Sequence, residues 1–305
     1  MPRPLKVGIQ LPEIEREVGW SELRRMAETA EGVGLDSVWV GDHLLYRFPN
    51  APPRGPWEAW SLMAAIAAVT RRVEIGPLVA CASFHNPAVL AKMAATVDDI
   101  SGGRLILGLG AGWNRTEYDA FGIPFDHRVS RFAEAFEIIR RLLRDGRVDF
   151  RGEYYSAPDC ELHPAPSRAG GPPLMVGSMG ERMLGITLPH VQAWNAWYRW
   201  FGNTIVGYRP MRDAVDAACT AAGADPGQIA RTVALLIAFP GATGRRSGDI
   251  TEYDPDPIDG SPQNLAATLR SFAAEGVGHV QLVLDPITLE SIEALQPALA
   301  LLDSA

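Results

Sequence analysis

A few short runs carry side chains whose types and spacing suit chemistry. Asp42-His43 closes an apolar run. An imidazole there can take or give a proton near neutral pH, and the adjacent carboxylate can orient it or contact a ligand. Gly177-Ser178-Met179-Gly180 lies between an apolar run and a helical pattern. Amides opening a helix beside a hydroxyl suit a phosphate, and the same four residues also suit an ordinary turn. Gly108-Leu109-Gly110-Ala111-Gly112 partly mimics a dinucleotide fingerprint, but its spacing is wrong and the first strand lacks the motif. Its small residues suit either a sharp turn or the close approach of a flat ligand to the backbone. Trp39, Trp113 and Trp194 lie at or near strand ends and are candidate walls for a planar ligand. For Trp200 and Phe201 core filling or a subunit contact is the simpler reading. His85 and Asp285 accompany His43 by position alone. The first strand offers Gln10 and Pro12 around Leu11 rather than a His-x-His pair, so no metal site is expected.

The elements that must position these residues alternate along the whole chain. Apolar runs at 7–11, 36–40, 73–79, 104–109, 174–176, 191–195, 229–237 and 277–284 read as eight strands of the buried parallel kind. Helical spacing follows each one. Leu23, Met26, Ala27 and Ala30 share a face, as do Val129, Phe132, Phe136, Ile139 and Leu143. Asn86-Pro87 reads as a helix start, with Val89, Leu90, Met93, Val97 and Ile100 as the buried stripe. Eight strand–helix units over 305 residues predict an α/β fold, a (β/α)8 TIM barrel spanning 1–305 as a single domain. Insertions are expected after helix four, where 149–155 reads as a hairpin, and after strand seven, where 241–260 reads as a polar loop suited to a lid. Such barrels carry their chemistry on the loops that follow the strands.

Composition excludes several classes. With 28 basic and 36 acidic residues the net charge is −8, and no Lys/Arg run offers a nucleic-acid face. The apolar stretch from Trp60 to Val69 is half of the roughly 20 residues a membrane span needs. Val7 to Leu11 is too short for a secretory h-region and runs into Glu13 and Glu15. Cys81, Cys160 and Cys219 form no CxxC clip and fit reduced thiols. A cytoplasmic location, a small-molecule substrate, no nucleic acid and no membrane are therefore expected.

Longer segments carry a family resemblance. They are Gly34-Leu35-Asp36-Ser37-Val38-Trp39-Val40-Gly41-Asp42-His43, Asn86 to Lys92, Asp98 to Trp113, Glu117-Tyr118 with Phe121 to Phe125, Arg131 to Glu134, Pro172 to Ser178, Trp194-Asn195, and Gly276-Val277 with Val280-Gln281-Leu282. Over nearly the whole chain the sequence resembles the bacterial luciferase-like oxidoreductases. That family includes FMN-dependent monooxygenases and deazaflavin (coenzyme F-420)-dependent dehydrogenases and reductases. The resemblance implies a (β/α)8 barrel with the cofactor phosphate at the turn Gly177, Ser178, Met179 and Gly180. It places the cofactor ring on a bulge ending strand three, often with a non-proline cis peptide, within Leu78-Val79-Ala80-Cys81 and close to Gly110. Asp42 and His43 match an acidic-then-His pair that relatives set beside the ring. The chain departs from the pattern twice. Many relatives have Ala-Asp-Gly before Trp-Asn where Val191-Gln192-Ala193 stands here. Some sugar-phosphate dehydrogenases carry a catalytic Glu where Trp113 stands, which points away from that substrate class.

The resulting site has His43 and Asp42 as catalytic residues and Val79, Ala80, Cys81, Gly110, Gly177, Ser178, Met179 and Gly180 at the cofactor. Trp113, Trp194 and Trp197 line the substrate pocket. Hydride transfer between coenzyme F-420 and a small organic substrate is the leading expectation. The alternatives are a two-component FMN-dependent monooxygenase fed by a partner reductase, and a non-enzymatic flavin-binding protein. A homodimer is expected from the resemblance and from Trp200 and Phe201.

Overall fold

The computed structural model describes residues 3–245 and 255–304. Eight parallel strand positions form the barrel wall. The chain begins with β1 (Lys6–Gln10), α1 (Trp20–Gly32) and β2 (Ser37–Val40), then a hairpin of β3 (Tyr46–Phe48) and β4 (Ala51–Arg54). Next come α2 (Ala59–Val69), β5 (Glu74–Pro77), its continuation β6 (Ala80–Cys81), α3 (Pro87–Ser101) and β7 (Leu107–Gly110). After β7 the chain forms α4 (Arg115–Phe121), α5 (Arg128–Asp145) and a hairpin of β8 (Arg147–Arg151) and β9 (Ser156–Glu161). The second half contains β10 (Leu174–Gly177), α6 (Glu181–Thr187), β11 (Ala193–Ala196), α7 (Ile205–Ala221) and β12 (Ala230–Ala238). It ends with β13 (Ile258–Asp259), α8 (Pro262–Ala274), β14 (Val277–Asp285), α9 (Leu289–Glu293) and α10 (Gln296–Asp303).

The strands pair in the order β5-β2-β1-β14-β12-β11-β10-β7-β6. An Ile75–Leu105 bridge joins the two ends, so the sheet closes on itself. The third strand does this by changing partners. β5 pairs with β2, the Leu78–Val79 peptide is cis, and β6 then pairs with β7. The cis bond falls inside the tetrapeptide that the resemblance marks as the shelf. Burial on both faces explains the near-continuous apolar strands: Val7, Ile9, Val38, Leu107, Val233 and Val280 are inaccessible or nearly so.

Local signals account for most element ends. Asn86 caps α3 by accepting from the amides of Ala88 and Val89, and Gly102 ends it in the left-handed region. The buried face of α3 differs from the expected stripe. Leu90, Ala91, Ala94 and Val97 are buried, whereas Val89 and Ile100 are exposed. Alanines let α3 sit close to α2 and α5, and this turns the two larger side chains outward. The β3–β4 hairpin is not anticipated from sequence, because Pro49, Pro52 and Pro53 mask its pattern. The last helix breaks into α9 and α10 at Ala294-Leu295, just before Pro297. Of the polar loop after β12, residues 246–254, including Arg246-Ser247-Gly248 and Asp254, lie outside the described residues. No helix among the described residues is long and apolar enough to cross a membrane.

Candidate active site

The strand ends and the loops that follow them enclose a cavity of about 540 Å³ at the C-terminal mouth of the barrel. Its floor is mostly backbone. Leu78 to Cys81 cross it, and Val79 sits between two glycines. A Cβ on Gly110 would come within 2.8 Å of one Val79 methyl, and a Cβ on Gly177 within 3.1 Å of the other. Side chains at 110 and 177 are therefore disfavoured beside Val79. Cys81 anchors it: its amide donates to Asp42 Oδ2 at 2.8 Å, and its sulfur lies 3.1 Å from the Tyr118 hydroxyl. Burial pushes the Cys81 thiol up to about 12, so it packs as a neutral group rather than serving as a nucleophile.

One wall is dense with side chains. His43 Nδ1 lies 2.9 Å from Glu117 Oε2, and its Nε2 lies 3.7 Å from Glu13 Oε1. Glu117, at the start of α4, also accepts from the amides of Leu44 and Leu45, so it fixes the chain that follows His43. The carboxylate can only accept, which puts the proton of a neutral His43 on Nδ1 and leaves Nε2 as the free base. Burial opposes the charged imidazolium, but Glu13, Glu117 and Asp42 outweigh it and raise the His43 pKa. Glu13 accepts from Tyr46 Oη and Gln10 Nε2 and pairs with Arg245. Burial and Glu13 push Tyr46 well above the ordinary phenol range, so it remains a neutral donor.

The far end is the turn Gly177 to Gly180. Ser178 Oγ accepts from the Gly180 amide at 3.2 Å. The aromatic wall comprises Trp113, Trp197 and Trp200, with Trp113 edge-on to His43 at 5.5 Å between ring centroids. Trp194 is a correction to the expected pocket: it is absent from the lining and fully buried. Its indole donates to Ser178 O at 2.7 Å, so it braces the turn from behind. Phe201 is also core, edge-on to Tyr208 and Phe272, whereas Trp200 reaches the cavity.

His43, Asp42, Val79, Ala80, Cys81, Gly110, Gly177, Ser178, Met179, Gly180, Trp113 and Trp197 all line this one cavity. Sequence reasoning did not single out Glu13, Tyr46, Glu117 or Arg245 as site residues. A partial signal existed for Glu117, an acid one turn into the segment after strand four. Glu13 and Arg245 become neighbours only through the closed barrel. His85 and Asp285 stay apart from the cavity. His85 Nε2 is 3.5 Å from Asp42 Oδ2, and Asp285 accepts from the amides of Thr243 and Gly244. Among the described residues no three His, Cys, Asp or Glu side chains are arranged to hold a metal ion.

The geometry fits a flat cofactor. Gly110 and Gly177 add no side chain beside Val79, and the cavity falls within the range of roughly 300–1,000 Å³ typical of ligand sites. The sequence profile of the luciferase-like monooxygenases matches residues 7–241. An F420-dependent glucose-6-phosphate dehydrogenase of Amycolatopsis mediterranei is 38% identical over 180 residues, covering 55% of this chain and 53% of that protein. Pyrimidine monooxygenase RutA of Cronobacter sakazakii is 35% identical over 179 residues, covering 56% of this chain and 50% of RutA. The chain thus spans about half the length of these relatives. An F420-dependent secondary alcohol dehydrogenase, solved with an F420–acetone adduct, shares the fold at a TM-score of 0.78 and 19% identity, over 96% of this chain and 98% of that one. The chain belongs to the luciferase-like monooxygenase family.

Proposed function

We propose that this chain is a coenzyme F-420-dependent oxidoreductase that moves a hydride between the deazaflavin and a small organic substrate. The observation that carries this reading is the juxtaposition of a shelf built on Val79 between two glycines with a buried imidazole held by Glu117. When bound, the deazaflavin supplies the carbon that gives or takes the hydride. Val79, Ala80, Cys81 and Gly110 support its ring. Gly177, Ser178, Met179 and Gly180 hold its phosphate. Asp42 fixes the shelf through the Cys81 amide. His43 Nε2 handles the substrate proton, and Glu117 keeps the ring in the tautomer that makes this possible. Trp113 and Trp197 wall the substrate and exclude water. Residues 1–305 act as one domain, in a cytoplasmic homodimer.

A second reading is a two-component FMN-dependent monooxygenase served by a partner reductase. The likeness to RutA favours it. Oxygen consumption with reduced FMN separates the two readings. Uptake above the free-flavin rate supports the second, whereas turnover of F-420 in anaerobic buffer supports the first.

A further inference from the structure

Among the described residues, the loop after β12 brings the Arg245 guanidinium to the acid wall of the cavity. Arg245 is 6% exposed. Its Nε donates to Glu15 Oε1 at 2.7 Å, and one terminal nitrogen lies 3.3 Å from Glu13 Oε2. The other terminal nitrogen lies 3.3 Å from the Tyr198 hydroxyl, and the guanidinium stands 5.3 Å from the centre of the Trp197 ring. A buried arginine with this many contacts is placed, because an unpaired one would carry a large desolvation cost. Its partner Glu13 holds Tyr46 through one oxygen, and the same oxygen faces His43 Nε2. We propose that Arg245 is a positioning residue for the Glu13–His43 proton pair: its charge, set against Glu13, opposes the pull of that side chain on the imidazolium and limits how tightly the pair keeps its proton.

Asp42 and Tyr46 flank His43 in sequence, Glu117 approaches from α4, and Glu13 comes from the loop after β1. Arg199 and Cys81 line the same cavity. Three carboxylates thus act on one imidazole, and all of them favour the imidazolium. A pair that retains its proton too tightly is a poor base near neutral pH. Arg245 is a buried cation that touches Glu13 directly. Removing its charge raises the proton affinity of the pair whichever member holds the proton, so the sign does not depend on how the titration divides between them. The assignment of a proton-handling role to the pair rests on the function proposed above. The electrostatic coupling does not.

The test is NMR titration of the imidazole resonances in the full chain without cofactor, with His43 identified among the six histidines by loss of its signal in His43→Asn. In Arg245→Gln, which keeps a donor but loses the charge, the apparent His43 pKa should rise by about one unit, a tenfold gain in proton affinity. Arg245→Lys, which keeps the charge, should restore it to within a few tenths. Glu15→Gln should move it downward, and this variant serves if Arg245→Gln fails to fold. An unchanged titration in Arg245→Gln, an equal rise in Arg245→Lys, or no downward shift in Glu15→Gln would overturn the assignment, even in an enzyme that turns over F-420. Failure of the wild type to bind F-420 would overturn the proposed function and leave this titration unaffected.

Discussion

Two histidines on the same barrel wall meet opposite electrostatic fates. His279 lies inside the barrel on β14, where Trp39 Nε1 donates to Ser37 Oγ and Ser37 Oγ in turn sits 2.7 Å from His279 Nε2. Burial, helped by Lys6, pushes its pKa down to about 3, so it stays neutral beside the serine. His43 sits at the mouth, where burial acts in the same direction but Glu13, Glu117 and Asp42 reverse the outcome. Desolvation with no carboxylate to oppose it keeps this barrel histidine neutral. The loops at the C-terminal mouth make it responsive to pH by importing carboxylates from segments far apart in sequence.

The strongest way to break this contrast is to remove the mouth histidine. His43→Ala should lower the rate of deazaflavin reduction or oxidation by about 10²–10⁴. Cofactor affinity should stay nearly unchanged, as read by single-turnover absorbance beside a binding titration. A near-normal rate would assign His43 to structure.

Stability against pH sharpens the comparison next. Between roughly pH 6.5 and pH 3 the unfolded chain protonates at residue 279 and the folded chain does not. Stability therefore falls as pH drops, by about 1.4 kcal/mol per unit from this group. His43 works in the opposite sense. Its raised folded pKa contributes stability that is present below about pH 6.5 and is lost as pH rises through the folded value. Urea midpoints across this range should show a shallower acid limb in His279→Asn and a shallower neutral-to-alkaline limb in His43→Asn.

The smallest effect concerns the thiols. With its pKa at about 12, Cys81 should resist iodoacetamide at pH 8 in the folded protein. Cys160, only partly buried, should take the label, and mass spectrometry of tryptic peptides reads both.

Much of this arrangement was legible in the sequence wherever it depends on local pattern. The eight apolar runs, the Asn86 cap, Asp42-His43 and the 177–180 turn needed only neighbouring residues, whereas the shelf tetrapeptide came from the family resemblance. The rest depends on closure of the barrel. Glu13, Glu117 and Arg245 lie more than 100 residues apart at the extremes, and no periodicity links them. Trp194 read as a pocket wall because its position near a strand end was visible, while the inward direction of its indole was not. Val89 and Ile100 read as core because they are apolar. The alanines of α3, by allowing close packing, decided which face was buried.

The central claim is that a deazaflavin lies on the Val79 shelf with its phosphate at the Gly177 turn. Quenching of tryptophan fluorescence by oxidised F-420 tests it directly, because Trp113, Trp197 and Trp200 line the same cavity. Saturable quenching is predicted for the wild type. Ser178→Ala should weaken binding by about 1.5–3 kcal/mol if its hydroxyl meets the charged phosphate. Gly177→Val, whose Cβ would press on Val79, should weaken it by at least about tenfold, or about 1.4 kcal/mol. Absence of saturable quenching by F-420, or equal affinity in the wild type and both variants, would contradict the account.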